Sequence, residues 1–458
     1  MADGPVGGTP AMTPLRTLAD DLDAGRTTSR NLVEQALARI GDPAGEGARV
    51  MLKVDEDAAR AAADESDRLR AAGIVASPIA GLPVSLKDLF DVAGEVTTAG
   101  SVVLQNAAPA AADAAVVARL RRAGAVIIGR TNMTEFAYSG LGLNPHYGTP
   151  KNPWDRDTGR IPGGSSAGAA VSVTDGMAAA ALGTDTGGSV RIPAALCGLA
   201  GFKPTQRRVP LEGVFPLLKS LDSVGVLAPT VACCAIMDAV LADEPPLAPV
   251  PRAIGNLSFA VPQSLVLEAL DDYVAANFAA ALTRLSAAGA TLKEIPFAEL
   301  LEIPELNKGG AIYVEAYAVH RTLLERSRDM YDPRVAGRIM RVAAVEAVDY
   351  IDVIAARAGL IDRANAVTAP FDGVLMPTTA TVAAQIAVLE ADEKLYNQTN
   401  LLMLRNTFCA NFLDRPALTI PMHRPDDAPP AGLMIMGEVG GDAGLIEAGL
   451  AVESVLRD

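Results

Sequence analysis

Histidine is nearly missing from this chain: His146, His320 and His423 are the only three in 458 residues. So few imidazoles exclude histidine-rich metal chemistry, and neither a metal nor a cofactor is expected. Cysteine is almost as scarce. Cys197, Cys233, Cys234 and Cys409 form no C-x-x-C pair, which excludes a zinc framework or a disulfide scaffold. Reduced, buried thiols suit the cytoplasm. Positive charge is short too, with 39 Lys and Arg against 54 Asp and Glu, a net charge of -15. Such a chain does not attract phosphate backbones or anionic bilayers, so nucleic acid and membrane are not expected partners. No apolar run approaches the roughly 18 residues of a membrane span. No basic segment followed by an apolar stretch opens the chain, so no secretory signal is expected. Aromatics make up only 4%.

Small aliphatic residues fill the gap. Half the chain is hydrophobic, much of it alanine, which suits helices packed closely on a sheet. The first dozen residues carry no element signal. "RTTSRNLVEQALARI" has helical spacing behind a Thr-Thr-Ser cap cluster, and residues 55–72 read as a surface helix. "GLPVSLKDLF" reads as a short buried strand ending near Lys87. "DAAVVARLRRAGAVIIGRTN" is a helix and a strand joined at Gly124, and "GMAAAALGTDTGGS" is an apolar run that stops in a glycine turn. "LSFAVPQ", "GVLMP" and "GLMIMG" predict later strands, residues 264–288 a long helix, and "DAGLIEAGLAVESVLR" a final amphipathic helix. Alternating strands and helices predict an α/β fold with a large sheet covered on both faces. The proline-rich "EPPLAPVPRA" reads as a link between two halves of one fold.

Two glycine-rich turns hold the chemistry. The first, "GRIPGGSSAGAA", fails as a nucleotide-binding loop because no G-K-[ST] closes it. Its G-x-S-x-G pattern centres on Ser166 and resembles the nucleophile elbow of an α/β-hydrolase, but polar, proline-containing text precedes it where an elbow needs an apolar strand. It also reads as a plain helix-capping turn. The second turn, "TDTGGSVRIP", places Ser189 24 residues after Ser165. Upstream, Lys87 lies in an apolar strand. It either pairs with Asp88 or Asp91, or is tuned toward neutrality and serves as a base. No histidine lies in these segments, so a neutral lysine relayed through a second hydroxyl is the available way to activate a serine. Asp185 and Arg191 read as an ion pair bracing the second turn, Cys197 as core and His146 as a loop residue.

"GLPVSLKDLFDVAG", "PGGSSAGAAVSV" and "LGTDTGGSVRIPAALCGLAGFKPT" together resemble the amidase signature family of serine hydrolases. The match runs almost unbroken from about Gly81 to Thr205, while residues 240–458 resemble the family loosely and form its variable, substrate-facing half. The resemblance implies one domain over residues 1–458, with a large mixed β-sheet surrounded by α-helices. It implies Ser189 as nucleophile, Ser165 as a bridging serine joined to Gly164 by a cis peptide bond, and Lys87 as base. It also implies an oxyanion hole from the backbone N–H groups of Thr186, Gly187, Gly188 and Ser189, each such donor contributing about 3–4 kcal/mol to catalysis. Met133, Phe136 and Tyr138 are expected near the substrate, with a core role the alternative for each. Leu196, Leu217, Leu218, Leu401 and Leu402 would suit an apolar acyl or aryl group. The implied activity is hydrolysis of a small carboxamide, aryl amide, anilide or carbamate through an acyl-serine, by a homodimer. The alternatives are an amidotransferase subunit releasing ammonia from glutamine in a tRNA-dependent complex, and a lipase-like hydrolase using Ser166.

Overall fold

The computed structural model of the chain describes residues 12–246, 249–422 and 428–457. The first eleven residues, part of the proline-rich link and His423 lie outside them. Eleven strands are described: β1 Met51–Lys53, β2 Pro83–Lys87, β3 Val126–Thr131, β4 Ala180–Asp185, β5 Ala200–Lys203, β6 Ser223–Ala228, β7 Ser258–Pro262, β8 Thr291–Ile295, β9 Gly373–Pro377, β10 Ala417–Pro421 and β11 Gly432–Met436. They form one mixed sheet in the order β1-β3-β2-β4-β6-β5-β10-β11-β9-β7-β8. The α/β expectation holds: helices cover both faces, and β2, β4, β5, β6, β9 and β11 are buried throughout.

The two halves of the sequence meet in the middle of this sheet. β5 pairs antiparallel with β10, Phe202 opposite Leu418, so residues more than two hundred positions apart share one ladder. β2 lies between β3 and β4, parallel to both. That places Lys87, the last residue of β2, beside the end of β4, where the second glycine turn begins.

Local signals agree with the sequence reading near the N-terminus. Thr28 caps the helix Ser29–Ile40 by accepting from Asn31 N–H at 3.0 Å, and Asp55 caps the helix Glu56–Ala71. The helix expected over 264–288 is shorter, Asp272–Ala287. Asp271 takes the cap, its side chain accepting from Tyr273 N–H at 2.9 Å, and left-handed backbone at Leu265 and Ala269 keeps the preceding residues out of the helix.

Candidate active site

β2 delivers a lysine into a core without a counterion. Lys87 is fully buried, and its Nζ donates to Ser165 Oγ at 2.7 Å and to Thr184 Oγ1 at 2.9 Å. Neither neighbouring aspartate pairs with it. Asp88 pairs with Arg130 at 3.2 Å, and Asp91 accepts from Thr97 Oγ1 at 2.7 Å. Burial therefore pulls the Lys87 ammonium down to about 7, against the more distant pull of Asp185 and Asp222.

The first glycine turn aims Ser165 at that ammonium. The Gly164–Ser165 peptide bond is cis. Gly164 has to be glycine, because a Cβ there would lie 2.5 Å from Gly142 N. Ser166 is fully buried, and its Oγ donates to Thr184 O at 3.4 Å. It stands at the N-terminus of the helix Ala167–Thr174, where its side chain makes no capping hydrogen bond.

The second turn is braced from below. Asp185 and Arg191 are both fully buried and pair at 2.8 Å. Burial alone would raise Asp185, but Arg191 prevails and holds it at about 2. Asp185 also accepts from the N–H groups of Gly188 (2.9 Å) and Val190 (3.1 Å), and Asn411 Nδ2 donates to it at 2.9 Å. Gly188 is thereby committed to the brace. Its φ of +131 and a virtual Cβ only 2.1 Å from Thr407 Oγ1 admit no side chain. The N–H groups of Thr186, Gly187 and Ser189 have no partner among the described residues, and all three residues line a cavity of about 340 Å³. Three of the four expected oxyanion donors thus remain available, and Gly188 is the exception because Asp185 occupies it.

Ser189 and Ser165 sit on adjoining turns, with Ser166 N donating to Ser189 O at 3.3 Å. No hydrogen bond joins their two hydroxyls, and Ser189 Oγ has no partner among the described residues. Above them, Asp222 clamps the turn to the cavity wall. Its carboxylate accepts from Thr186 Oγ1 at 2.5 Å and from the N–H groups of Leu217 and Leu218 at 2.9 and 3.1 Å. Burial pushes Asp222 up to about 6 despite those donors.

Of the expected pocket residues, Tyr138, Leu217, Leu218 and Leu401 line the cavity. Met133 and Phe136 do not; both are core. Phe136 packs on His320, Tyr331 and Phe215 with centroids 4.4, 5.2 and 5.4 Å away. Left-handed backbone at Phe136 (φ 50) and Ala137 (φ 60) turns the chain between Phe136 and Tyr138, so neighbours in sequence face different surroundings. Leu196 is core as well, and Leu402 is absent from the lining. Sequence reasoning missed Tyr313, Arg338, Arg341 and Asn400. All four come from helical segments of the second half, where nothing in the pattern separates a residue facing a cavity from one facing solvent. Cys197 is buried and its thiol is pushed up by burial; His146 Nε2 meets Glu135 Oε1 at 2.9 Å. All four cysteines are free. Among the described residues no cluster could hold a metal ion, and no helix is long and apolar enough to cross a membrane.

The amidase family model matches residues 31–446. The chain is 38% identical over 413 residues to a 2-amino-5-chloromuconic acid deaminase of Comamonas testosteroni, spanning 87% of this chain and 86% of that one. It is 34% identical to a glutamyl-tRNA(Gln) amidotransferase component of Roseiflexus sp. (strain RS-1), spanning 96% of each. A crystal structure of an amidase superposes with a TM-score of 0.86 at 32% identity, over 97% of this chain and 100% of the other. The protein is a hydrolase of amide carbon–nitrogen bonds. The chain belongs to the amidase family.

Proposed function

We propose that Ser189 is the nucleophile, Lys87 the base and Ser165 the relay between them, acting on small carboxamides, with aryl amides, anilides and carbamates as the finer expectation. The observation that carries this reading is Lys87: fully buried, drawn down to about 7 and bonded to a serine hydroxyl with no carboxylate partner. A lysine poised near neutrality can accept the Ser165 proton while Ser165 accepts that of Ser189. Ser189 Oγ attacks the amide carbonyl, and the carbonyl oxygen becomes an oxyanion held by the N–H groups of Thr186, Gly187 and Ser189. The proton on Lys87 returns through Ser165 to the amide nitrogen, the C–N bond breaks, and the amine leaves. Water then attacks the acyl-serine, giving its proton to the same relay, and the acid departs. The open distance between the two hydroxyls is the link that substrate would close, as apo sites commonly require.

Fluorophosphonate labelling followed by mass spectrometry tests this. Modification at Ser189 is expected, and an adduct on Ser166 or elsewhere would sink the assignment.

The second reading, a subunit that releases ammonia from glutamine, is favoured by the similarity to the amidotransferase. The cavity opposes it, because no carboxylate among the described residues lines it to meet the α-ammonium of glutamine. Glutaminase activity appearing only on adding partner subunits would reverse that preference. The proposal takes the whole chain as one catalytic domain, working in the cytoplasm as a homodimer on the strength of the family resemblance and the free thiols.

A further inference from the structure

The cavity carries charge that the serine chemistry leaves unused. Arg338 and Arg341 lie one turn apart at the end of the helix Pro333–Arg341, and both line the cavity that holds Ser189. Among the described residues no aspartate, glutamate, lysine or histidine lines it. In a chain of net charge -15, two cations without an anion invert the local sign. The helix dipole accounts for cations in a last turn, but not for their facing a cavity.

Neither cation is neutralised. Arg338 donates through Nη1 to the Tyr138 carbonyl, and its guanidinium lies 5.1 Å from the Tyr396 ring centroid. Its Nη2 is buried with no partner among the described residues. Arg341 has no hydrogen bond or ion pair among the described residues, although Asp349 and Asp352 line an adjoining cleft with it. A buried guanidinium donor without an acceptor is costly, and two like charges one turn apart repel; a bound anion relieves both. The helix is also held in place. Asp332 N, at its cap, donates to Glu135 Oε2 at 2.7 Å, tying the arginines to the loop that carries Tyr138. Leu217, Leu218, Val342 and Leu401 complete the walls with apolar surface.

We infer that Arg338 and Arg341 form a two-cation subsite for carboxylate groups of the substrate. The enzyme then selects small amides that carry carboxylate charge away from the scissile carbonyl, dianionic ones above monoanionic ones. Arg341 is the second cation that separates the two, and the hydrocarbon between carboxylate and amide lies on the leucines. Guanidinium forks match carboxylates in shape as well as charge, which suits them to this task. The inference rests on the amidase reading of Ser189.

The test uses the full chain and three amides of matched length: a neutral aliphatic primary amide, the monocarboxylate replacing its terminal methyl, and the geminal dicarboxylate. kcat/KM is expected to rise about 10-fold with each carboxylate, and the gain to shrink as salt is added. Arg341→Gln should lower the dianion-to-monoanion ratio about 10-fold, mainly through KM. Arg338→Gln should lower the monoanion-to-neutral ratio. Arg334→Gln is the control, since that guanidinium bonds the carbonyls of Leu389 and Glu390 outside the cavity and should keep both ratios. A fall with Arg334→Gln equal to that with Arg341→Gln would reduce the effect to general helix charge and overturn the subsite. Equal kcat/KM for all three amides, abolished in each case by Ser189→Ala, would overturn the subsite and leave the amidase reading standing. Activity that survives Ser189→Ala would overturn both. If none of the three turns over, protection of Ser189 from fluorophosphonate by the dicarboxylate and not by the neutral amide supports the subsite, and equal protection refutes it.

Discussion

Residues 81–205 and residues 309–404 both reach the same cavity, and Lys87 in the first meets surroundings opposite to those of Arg338 in the second. In the first region, Lys87, Ser165, Asp185 and Arg191 are fully buried, and each has its hydrogen bonds within the protein. In the second, Arg338 keeps an unused buried nitrogen, Arg341 has no partner among the described residues, and Leu401 is 70% exposed. A group whose basicity must be tuned needs a complete, dry environment, because burial and fixed dipoles move its pKa. A group that must recognise a ligand needs the reverse, a hydrogen-bonding capacity the fold leaves open.

Substitutions can break this contrast at its strongest point first. Lys87→Met should lower kcat by about 10²- to 10⁴-fold, and the rise of wild-type activity through a pH of about 7 should vanish with it. A retained limb would remove Lys87 as the base. The same variant should be more stable than wild type. The folded pKa of Lys87 lies below its ordinary value of 10.5, so the native state holds fewer protons than the unfolded chain between about 7 and that value. Stability therefore rises with pH across that window, and the wild-type penalty is greatest at and below pH 7. Thermal melts should show the largest gain for Lys87→Met near pH 6 and a fading gain towards pH 10.

Gly188→Ala should be next in size. The added methyl would meet Thr407 Oγ1, which is already engaged with the Gly187 carbonyl at 2.6 Å. A loss of about 1–3 kcal/mol in stability is expected, with the glycine turn displaced and activity reduced. An unchanged melting temperature would mean that the turn has room the structure does not show. Leu401→Ala should have the smallest effect: KM up about 3-fold, stability within about 0.5 kcal/mol. A collapse of kcat there would erase the distinction between the two regions.

Much of the first region was legible because its signals are local. Gly163, Gly164, Gly187 and Gly188 mark turns by their own freedom of backbone, and the apolar residues around Lys87 mark its burial. The strands β5, β6 and β10 were not expected from "AGFK", "SVGVLA" and "ALTIP". Strands buried on both faces lose the alternation that identifies a strand, and short apolar runs match helix segments equally well. Phe136 and Tyr138 show the same limit at one residue's scale, since left-handed backbone between them parts core from cavity.

The sequence by itself determined the acidity of the chain, the shortage of histidine, the two glycine turns and the lysine set in an apolar strand, because residue identity sets what a group can donate, accept or ionise. Only the tertiary structure decided that Lys87 faces Ser165 and not Asp88 or Asp91, that Asp185 takes the Gly188 N–H, and that Arg338 and Arg341 border the cavity of Ser189. Those outcomes depend on strand neighbours and helices brought together from distant segments, which set both the partner within reach and the water excluded around it.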